Sequence, residues 1–125
     1  MRYILLIMIG LSGFANAQKE LTWSILHPIK KEWIELGEKG SVQEALINSG
    51  ELPDPFIGMN EHKFGWIEDH QWEFKSMFFL DKEELKRDFI ELHFPSLDTY
   101  AKVFLNDSLI YTGDNAFIEH IIRLK

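Results

Sequence analysis

The stretch "LDTYAKVFLNDSLIYTGDNAF", residues 97–117, alternates apolar and polar side chains on both sides of a short turn. Two strands with a period of two, separated by a few turn-forming residues, are typical of an antiparallel β-hairpin. The turn is predicted at 106–108. The face predicted to be buried carries Ala101, Val103 and Leu105, and the opposite face carries Tyr100, Lys102 and Phe104.

The same period of two recurs in other short segments, which predicts several strands. They are "LTWSIL" (21–26), residues 71–80, "DFIELHF" (88–94) and the run 116–125. Between them, "DKEELKR" (81–87) is interpreted as a charged connection. In residues 71–80 the apolar face holds Trp72, Phe74, Phe78 and Leu80, with Ser76 as its polar member. Closely spaced strands of this kind predict an antiparallel β-sandwich. Because the sequence ends within the apolar run 117–124, we expect an incomplete sandwich with an unpaired edge there.

One short helix is predicted within "GSVQEALINSG", residues 40–50. Ser41 and Glu44 form the S-x-x-E pattern of a capping box, and Gly50 lies where a helix often ends. Val42, Ala45 and Leu46 fall on one face of this helix.

The segment "ELPDPFIGMNE", residues 51–61, combines two prolines and a glycine with apolar side chains. Proline restricts the residue before it to extended conformations, so we expect a rigid extended crossing. Phe56 and Ile57 are predicted to pin it to the core, and Gly58 to allow a bend. Asn60 and Glu61 would then be available to cap a turn or meet a partner.

The first 17 residues have the pattern of a secretory signal peptide. Arg2 precedes the apolar run 3–14, and "ANA" at 15–17 is a small-x-small cleavage site, so the mature chain would begin at Gln18. A membrane anchor is the alternative, but a span needs about 20 apolar residues. We therefore expect an exported chain without a membrane span after cleavage. The absence of cysteine favours a bacterial periplasmic or extracellular location.

Composition argues against several classes of function. A net charge of −7 leaves no basic patch for nucleic acid, and no cysteine is available for a disulfide, a zinc-thiolate site or a nucleophile. No metal-binding spacing is present, so we predict no metal and no cofactor. The five histidines are interpreted as solvated or capping groups: His27, His62, His70, His93 and His120.

Two stretches of the chain together resemble the N-terminal domain of β-mannosidases of glycoside hydrolase family 2. The pattern "DPF-G-NE" followed by three aromatic positions is carried by Asp54, Pro55, Phe56, Gly58, Asn60, Glu61, Trp66, Trp72 and Phe74. The pattern "LDTYA-V-LN" followed by "DN-F" is carried by residues 97–101, Val103, Leu105, Asn106, Asp114, Asn115 and Phe117. The resemblance runs from about Trp23 to the last residue. The chain departs from the family pattern at 38–40, at Gln43 and at Asp107.

The resemblance implies an all-β fold, a galactose-binding-like jelly-roll β-sandwich with one or two short helices. Residues 18–125 would be this N-terminal domain, incomplete at its C-terminus. The family's enzymes remove terminal β-D-mannose from non-reducing ends, using two glutamates on a separate barrel. The chain would then be the N-terminal fragment of an exo-acting enzyme, with no catalytic residue and no activity alone.

The partners implied by the resemblance are the downstream domains of the parent enzyme and, through them, a β-mannoside. Asn60, Glu61, Trp66, Asp114 and Asn115 are candidate residues at the rim of the sandwich. One alternative is a stand-alone carbohydrate-binding module in which an exposed Trp66 stacks on a sugar ring. A binding scaffold without a ligand is a third hypothesis.

Overall fold

The computed structural model of the protein describes residues 20–38, 40–97, 100–115 and 117–125, together with the backbone of residues 2–10. Its strands are β1 Arg2–Gly10, β2 Trp23–Leu26, β3 Trp33–Glu35, β4 Gln71–Phe79, β5 Glu91–Phe94, β6 Tyr100–Leu105, β7 Ser108–Gly113 and β8 His120–Arg123. Its helices are α1 Val42–Asn48 and α2 Lys82–Leu85, and a 3-10 helix spans Asn60–Asp69. The prediction of a mostly-β fold with short helices is confirmed.

The strands form two sheets. Six strands lie in the order β3-β2-β4-β1-β6-β7, and β5 pairs with β8 in a second sheet. The pairings β2–β3, β2–β4, β5–β8 and β6–β7 are antiparallel, whereas β1 is parallel to both β4 and β6. The expectation of an unpaired edge in the run 117–124 is confirmed on one side of His120–Arg123: these residues pair with Glu91–Phe94 and, among the described residues, with no other strand.

The predicted hairpin is confirmed as β6–β7. Asn106 and Asp107 have φ of 46° and 66°, and two consecutive left-handed residues characterise the type I′ turn that matches the twist of a two-residue hairpin. Asn and Asp tolerate this conformation better than other residues with a Cβ. Asp98 and Thr99, which belong to the predicted pattern, lie outside the described residues.

The predicted leader contributes β1 to the middle of the larger sheet. Its backbone pairs along its whole length with Gln71–Phe79 and over six positions with Tyr100–Leu105. The predicted cleavage site at 15–17 and Gln18 lie outside the described residues. Within the part of the chain that the structure describes, no helix is both long and apolar enough to cross a membrane.

Both helices begin at side-chain caps. The Ser41 hydroxyl accepts the Glu44 amide N–H at 3.1 Å, and Gly50 follows α1 with φ +81°, as predicted. The interpretation of 81–87 as a plain connection was incomplete, because Asp81 and Glu84 form a reciprocal capping box that starts α2, with both bonds at 2.7 Å. Four residues of helix carry no periodicity that a sequence pattern could reveal.

Apolar residues collect in two clusters, one on each side of the middle of β4. The sandwich cluster lies between the two sheets and comprises Phe78, Leu80, Leu92, Phe94, Leu97, Ala101, Val103 and Ile122. The helix-side cluster lies between β2, β4, α1 and the 3-10 helix, and comprises Ile25, Val42, Ala45, Leu46, Leu52, Ile67 and Trp72. Phe74 packs against both clusters.

The prediction that Phe56 and Ile57 pin the loop 51–59 to the core is wrong. Their side chains are 94% and 64% exposed, and Leu52 is the residue buried there. The Leu52 amide bonds to the Leu46 carbonyl at 3.1 Å, so the loop is attached through the end of α1. Beyond the loop the chain enters the 3-10 helix Asn60–Asp69 and does not remain extended.

Candidate functional site

The two segments that carry the sequence-predicted site residues join the six-stranded sheet at one end, and we call these segments the rim. Trp72, near the start of β4, and Ala101, near the start of β6, both pair with Tyr3 of β1. Ala101 also pairs with Gly113, the last residue of β7. The 3-10 helix that precedes β4 and the 114–118 loop that follows β7 therefore emerge at the same end. Three strand spacings separate them laterally, about 14 Å at the usual spacing.

A closed cluster centred on His27 forms one side of the rim. Its ring is 1% exposed and stacks on Trp66 at 5.5 Å between centroids, with Trp72 edge-on at 6.1 Å. Nδ1 accepts the backbone N–H groups of Ile29 and Lys30 at 3.2 and 3.1 Å. Since Nδ1 is thereby an acceptor, Nε2 carries the proton of the neutral ring. Of the two roles expected of the histidines, solvated or capping, His27 has the capping one, and its ring is buried.

The proton on Nε2 is directed at a carboxylate. Nε2 of His27 lies 2.8 Å from Oε1 of Glu51, and Nζ of Lys30 donates to Oε2 at 2.8 Å. Partial burial raises the pKa of the Glu51 carboxyl, but the hydrogen bonds from Lys30 and His27 outweigh it and hold that pKa below its ordinary value. Both carboxylate oxygens of Glu51 and both ring nitrogens of His27 are therefore hydrogen-bonded. Together with the ring contacts, these bonds join the segments around residues 27–30, 51 and 66–72 to one another. The cluster has no free group for proton transfer.

Trp66 is part of this cluster and is half-buried, so the expectation of an exposed sugar-stacking ring is wrong. Besides His27, its ring contacts His70 at 5.6 Å and Trp72 at 5.8 Å. Nδ1 of His70 donates to the Trp66 carbonyl at 2.9 Å, and Nε1 of Trp72 donates to the Ile67 carbonyl at 2.9 Å. These contacts orient the indole as packing for the end of β4.

The loop 51–59 is held by two side-chain bonds. Oδ1 of Asp54 accepts the Phe56 amide N–H at 2.9 Å, which is an Asx turn. Nδ2 of Asn60 donates to the Asp54 carbonyl at 3.0 Å. Gly58, with φ +60°, supplies a left-handed residue in the same loop. The fixed loop directs Phe56 outward, and Glu61 beyond it is also exposed.

The loop after β7 uses the same device. Oδ1 of Asn115 accepts the Phe117 amide N–H at 2.9 Å, and the Asn115 carbonyl accepts from Nε2 of His120 at 2.8 Å. Nδ1 of that histidine accepts the Tyr111 hydroxyl. His120 is buried, which corrects the expectation of a solvated ring, whereas Phe117 is 98% exposed. Asp114 is exposed beside it.

Each loop therefore holds a phenylalanine in water. Burying a phenylalanine stabilises a protein by about 1.5–3 kcal/mol, so two fixed, nearly fully exposed rings are unfavourable in isolation and typical of a contact surface. Sequence reasoning missed this because it assigned Phe56 to the core. The signal was present in the spacing of "DPF" and "NAF", an Asx residue two positions before a phenylalanine.

A separate open groove lies at the β3 edge of the sheet. It has a volume of about 580 Å³ and is lined by Trp33, Ile34, Glu35, Leu36, Gly37, Glu38, Ala45, Asn48 and Ser49. Nζ of Lys75 lies 3.9 Å from the centroid of the Trp33 ring and covers part of one face. Among the described residues, no group of three or more histidine, aspartate or glutamate side chains is placed to hold a metal ion.

Comparison with known proteins gives a consistent result. Residues 23–125 match the family described as "Glycosyl hydrolase 2 galactose-binding domain-like". "Beta-mannosidase B" of Emericella nidulans is 38% identical over 84 residues, which are 66% of this chain and 10% of that protein. "Beta-mannosidase B" of Thermothelomyces thermophilus is 38% identical over 80 residues, 63% of this chain and 9% of that protein.

A solved structure is similar in both fold and sequence. The β-D-mannosidase from Dictyoglomus thermophilum superposes with a TM-score of 0.76 at 33% identity, covering 82% of this chain and 13% of that one. The chain thus spans about a tenth of the length of the curated relatives it matches. With 103 consecutive positions matched, 23–125, the chain belongs to the galactose-binding-like domain family of glycosyl hydrolase 2, the family its two loop patterns indicated.

Proposed function

We propose that this chain is the N-terminal part of an exo-acting, retaining β-mannosidase and that its rim binds the other domains of that enzyme. The observation that carries the proposal is the pair of exposed phenylalanines, Phe56 and Phe117, each fixed by an Asx turn, one in the loop before the 3-10 helix and the other in the loop after β7. A fixed aromatic side chain loses little conformational entropy on binding, which makes it an effective anchor. The whole enzyme would remove terminal β-D-mannose from non-reducing ends.

The five rim residues act in this proposal by positioning the surface. Asn60 and Asn115 fix the two loops, and Trp66 packs the end of β4 behind them. Glu61 and Asp114 are exposed next to the loops and would form the polar border of the contact. None of them is proposed to touch the sugar, and catalysis would belong to carboxylates of another domain.

We also propose export. Arg2, the apolar run 3–14 and "ANA" at 15–17 support a cleaved leader. The domain at 18–125 would then act in a bacterial periplasm or outside the cell. Determining the N-terminus of secreted material by intact mass tests this, and a mature chain that still begins at Met1 contradicts it.

A chimera tests the main proposal. In the Dictyoglomus β-D-mannosidase, the segment equivalent to residues 23–125 is replaced by those residues, and hydrolysis of an aryl β-mannoside is measured. The expected result is an active chimera whose activity falls at least tenfold with Phe56→Ser and Phe117→Ser together, because the domains no longer dock. A control chimera carries Leu109→Ser, an exposed leucine of β7 outside both loops. Equal activity of the two substituted chimeras contradicts the proposal.

The chain alone is expected to have no activity on the same substrate, because retaining hydrolysis requires two carboxyl groups about 5–5.5 Å apart on opposite sides of the scissile bond. Turnover that survives repurification, and that is lost on substituting one acidic residue of this chain, would overturn that expectation.

A stand-alone carbohydrate-binding module is the second candidate, and the groove beside Trp33 is the observation that favours it. A partly exposed indole with carboxylate, amide and hydroxyl groups nearby is the usual composition of a sugar site. It ranks second because Lys75 already occupies part of one ring face. Titration with mannobiose, followed by tryptophan fluorescence in the chain and in Trp33→Ala, decides between them: saturable binding lost in the variant supports the module.

A further inference from the structure

Each loop of the rim is attached to the domain by the Nε2–H group of a buried histidine. His27 donates from Nε2 to the Glu51 carboxylate at 2.8 Å, and His120 donates from Nε2 to the Asn115 carbonyl at 2.8 Å. Both rings are buried. Each bond reaches the segment that carries one of the exposed phenylalanines, but the two histidines are held in different ways.

The tautomer of His120 follows from its two partners. A carbonyl oxygen only accepts hydrogen bonds, so the bond to Asn115 requires the proton on Nε2. Nδ1 of the neutral ring is then an acceptor, and the Tyr111 hydroxyl donates to it. In His27, Nδ1 instead accepts two backbone N–H groups, which a change of side chain does not remove. The arrangement at His120 therefore depends on one side-chain hydroxyl.

The bond between Tyr111 and His120 joins the two sheets. Tyr111 lies in β7, the last strand in the order of the six-stranded sheet, whereas His120 is the first residue of β8 in the two-stranded sheet. The two rings meet edge-on with their centroids 5.3 Å apart. The bond therefore closes the base of the connection from β7 to β8, and Asn115 lies within that connection.

Gly113 leaves room for this contact. It follows Tyr111 by two positions, so both residues face the same side of β7. A Cβ atom on Gly113 would lie 2.8 Å from Cε1 of Tyr111, whereas non-bonded carbon atoms usually rest about 3.5–4.0 Å apart. A side chain at position 113 would therefore push the phenol ring aside. Its absence lets the Tyr111 ring lie along the strand and reach His120.

We propose that His120 is the positioning residue of the loop after β7, and that Tyr111 acts through it. The bond from His120 fixes the Asn115 carbonyl, and Oδ1 of the same asparagine accepts the Phe117 amide N–H at 2.9 Å. The exposed Phe117 is thereby held in one orientation, which lowers the entropy lost when it binds a partner. The use of Phe117 for domain docking rests on the proposed function, whereas the immobilisation of the loop does not.

The test measures backbone order parameters of the full chain by NMR relaxation. For the Phe117 amide we expect about 0.85, the value of rigid backbone, in the unchanged chain and less than about 0.6 in Tyr111→Phe. That variant keeps the ring and removes only the hydroxyl. Tyr100→Phe removes a hydroxyl from an exposed tyrosine of β6 and is the matched control, which should leave the Phe117 value unchanged. The Phe56 amide is the internal reference and should keep its value in every variant.

Two further changes separate positioning from general packing. Gly113→Ala is expected to loosen Phe117 as well, because it displaces the Tyr111 ring without removing a polar group. His120→Gln offers both a donor and an acceptor, so it should keep Phe117 more ordered than His120→Ala does. If His120→Ala fails to fold, Tyr111→Phe, which lacks a single oxygen atom, decides alone. A low Phe117 value in the unchanged chain, a high value in Tyr111→Phe, or an equal loss of order at Phe56 overturns the proposal.

The consequence for docking is measured in the chimera described above. We expect Tyr111→Phe to lower its activity on an aryl β-mannoside about threefold or more, and Phe117→Ser to lower it further, because a mobile anchor binds more weakly than a fixed one. If Phe117→Ser lowers the activity and Tyr111→Phe does not, the positioning role in docking is overturned while the proposed function stands. If Phe117→Ser has no effect, the proposed function fails for this loop, and the order parameters still decide whether His120 positions Phe117.

Discussion

The two apolar clusters share β4 but are covered to different degrees. In the helix-side cluster Ile25, Ala45, Leu46 and Trp72 are 0% exposed, because α1 and the 3-10 helix cover that half of the sheet. In the sandwich cluster most members retain 6–9% exposure, and the covering layer consists of only β5 and β8. One half of the domain is therefore closed by its own helices, whereas the other depends on a narrow two-stranded sheet.

The largest effect is expected from Trp72→Ala. The substitution removes a fully buried indole and leaves the Ile67 carbonyl without its 2.9 Å donor. Truncating a buried aromatic residue costs about 3–5 kcal/mol. This is a large part of the total stability of a typical domain, which is about 5–15 kcal/mol. Urea denaturation of the full chain measures it, and Trp72→Phe, which keeps most of the volume, should cost clearly less. Equal costs for the two variants would show that packing does not dominate there.

A matched pair of leucines compares the two clusters directly. Leu46, in the helix-side cluster, is 0% exposed, and Leu92, in the sandwich cluster, is 8% exposed. Leucine-to-alanine changes in cores cost about 2.7–5 kcal/mol, depending on how far the site collapses. We expect about 4 kcal/mol for Leu46→Ala and about 2–3 kcal/mol for Leu92→Ala, since thin cover relaxes more easily. A larger cost at Leu92, measured in the same urea series, would mean that the sandwich side is the better packed half.

The parts of the fold that were predicted from sequence are those with local signals. The alternation in 71–80 and 99–105 predicted β4 and β6, Ser41 and Gly50 predicted the limits of α1, and the Asn106 turn predicted the hairpin. The 3-10 helix and α2 escaped prediction, because neither has a recurring apolar face; the latter is only four residues long. Pairing of β1 with β4 depends on contacts some 70 positions apart along the chain, about which local periodicity carries no information.

The candidate site was predicted only in part, for a related reason. Sequence patterns predicted Asn60, Trp66 and Asn115 to lie at a rim, and the segments that carry them join the sheet at one end. The burial of His27, however, depends on Glu51 and on rings from residues 66 and 72, which meet only after folding. Likewise, whether Phe56 points inward or outward is decided by the Asp54 turn and not by its hydrophobicity.

A smaller effect is expected at the link between the helix-side cluster and the rim. Glu51→Gln keeps the size and shape of the side chain but removes the negative charge to which His27 and Lys30 donate hydrogen bonds. The bonds are partly exposed to solvent, so the expected loss of stability near neutral pH is about 1 kcal/mol. The folded-state pKa of Glu51 lies below the ordinary value of 4.5. Its contribution is therefore present above that value and is lost as the pH falls through the folded-state pKa.

The measurement is urea denaturation of both proteins from pH 7 down to pH 3. The difference in unfolding free energy between them should shrink below pH 4.5, as the wild-type carboxyl becomes neutral as well. A difference that stays constant over the whole range would show that the carboxylate charge is not what Glu51 contributes.

The smallest effect on stability is expected at the rim loops, which is what separates a contact surface from either core cluster. Phe56→Ser and Phe117→Ser remove rings that are 94% and 98% exposed, and each Asx turn survives because it uses the backbone N–H. Surface changes of this kind usually stay within about 0.5 kcal/mol.

Asp54→Ala is a useful companion variant. It keeps the Phe56 ring but removes the acceptor that fixes the loop, so it should weaken domain docking in the chimera although no ring is lost. Denaturation of the chain and activity of the chimera, measured on the same variants, separate the two roles. If either serine variant destabilises the isolated chain by more than about 1 kcal/mol, the ring packs against its own domain. The rim would then be part of the domain's own packing and not a contact surface for other domains.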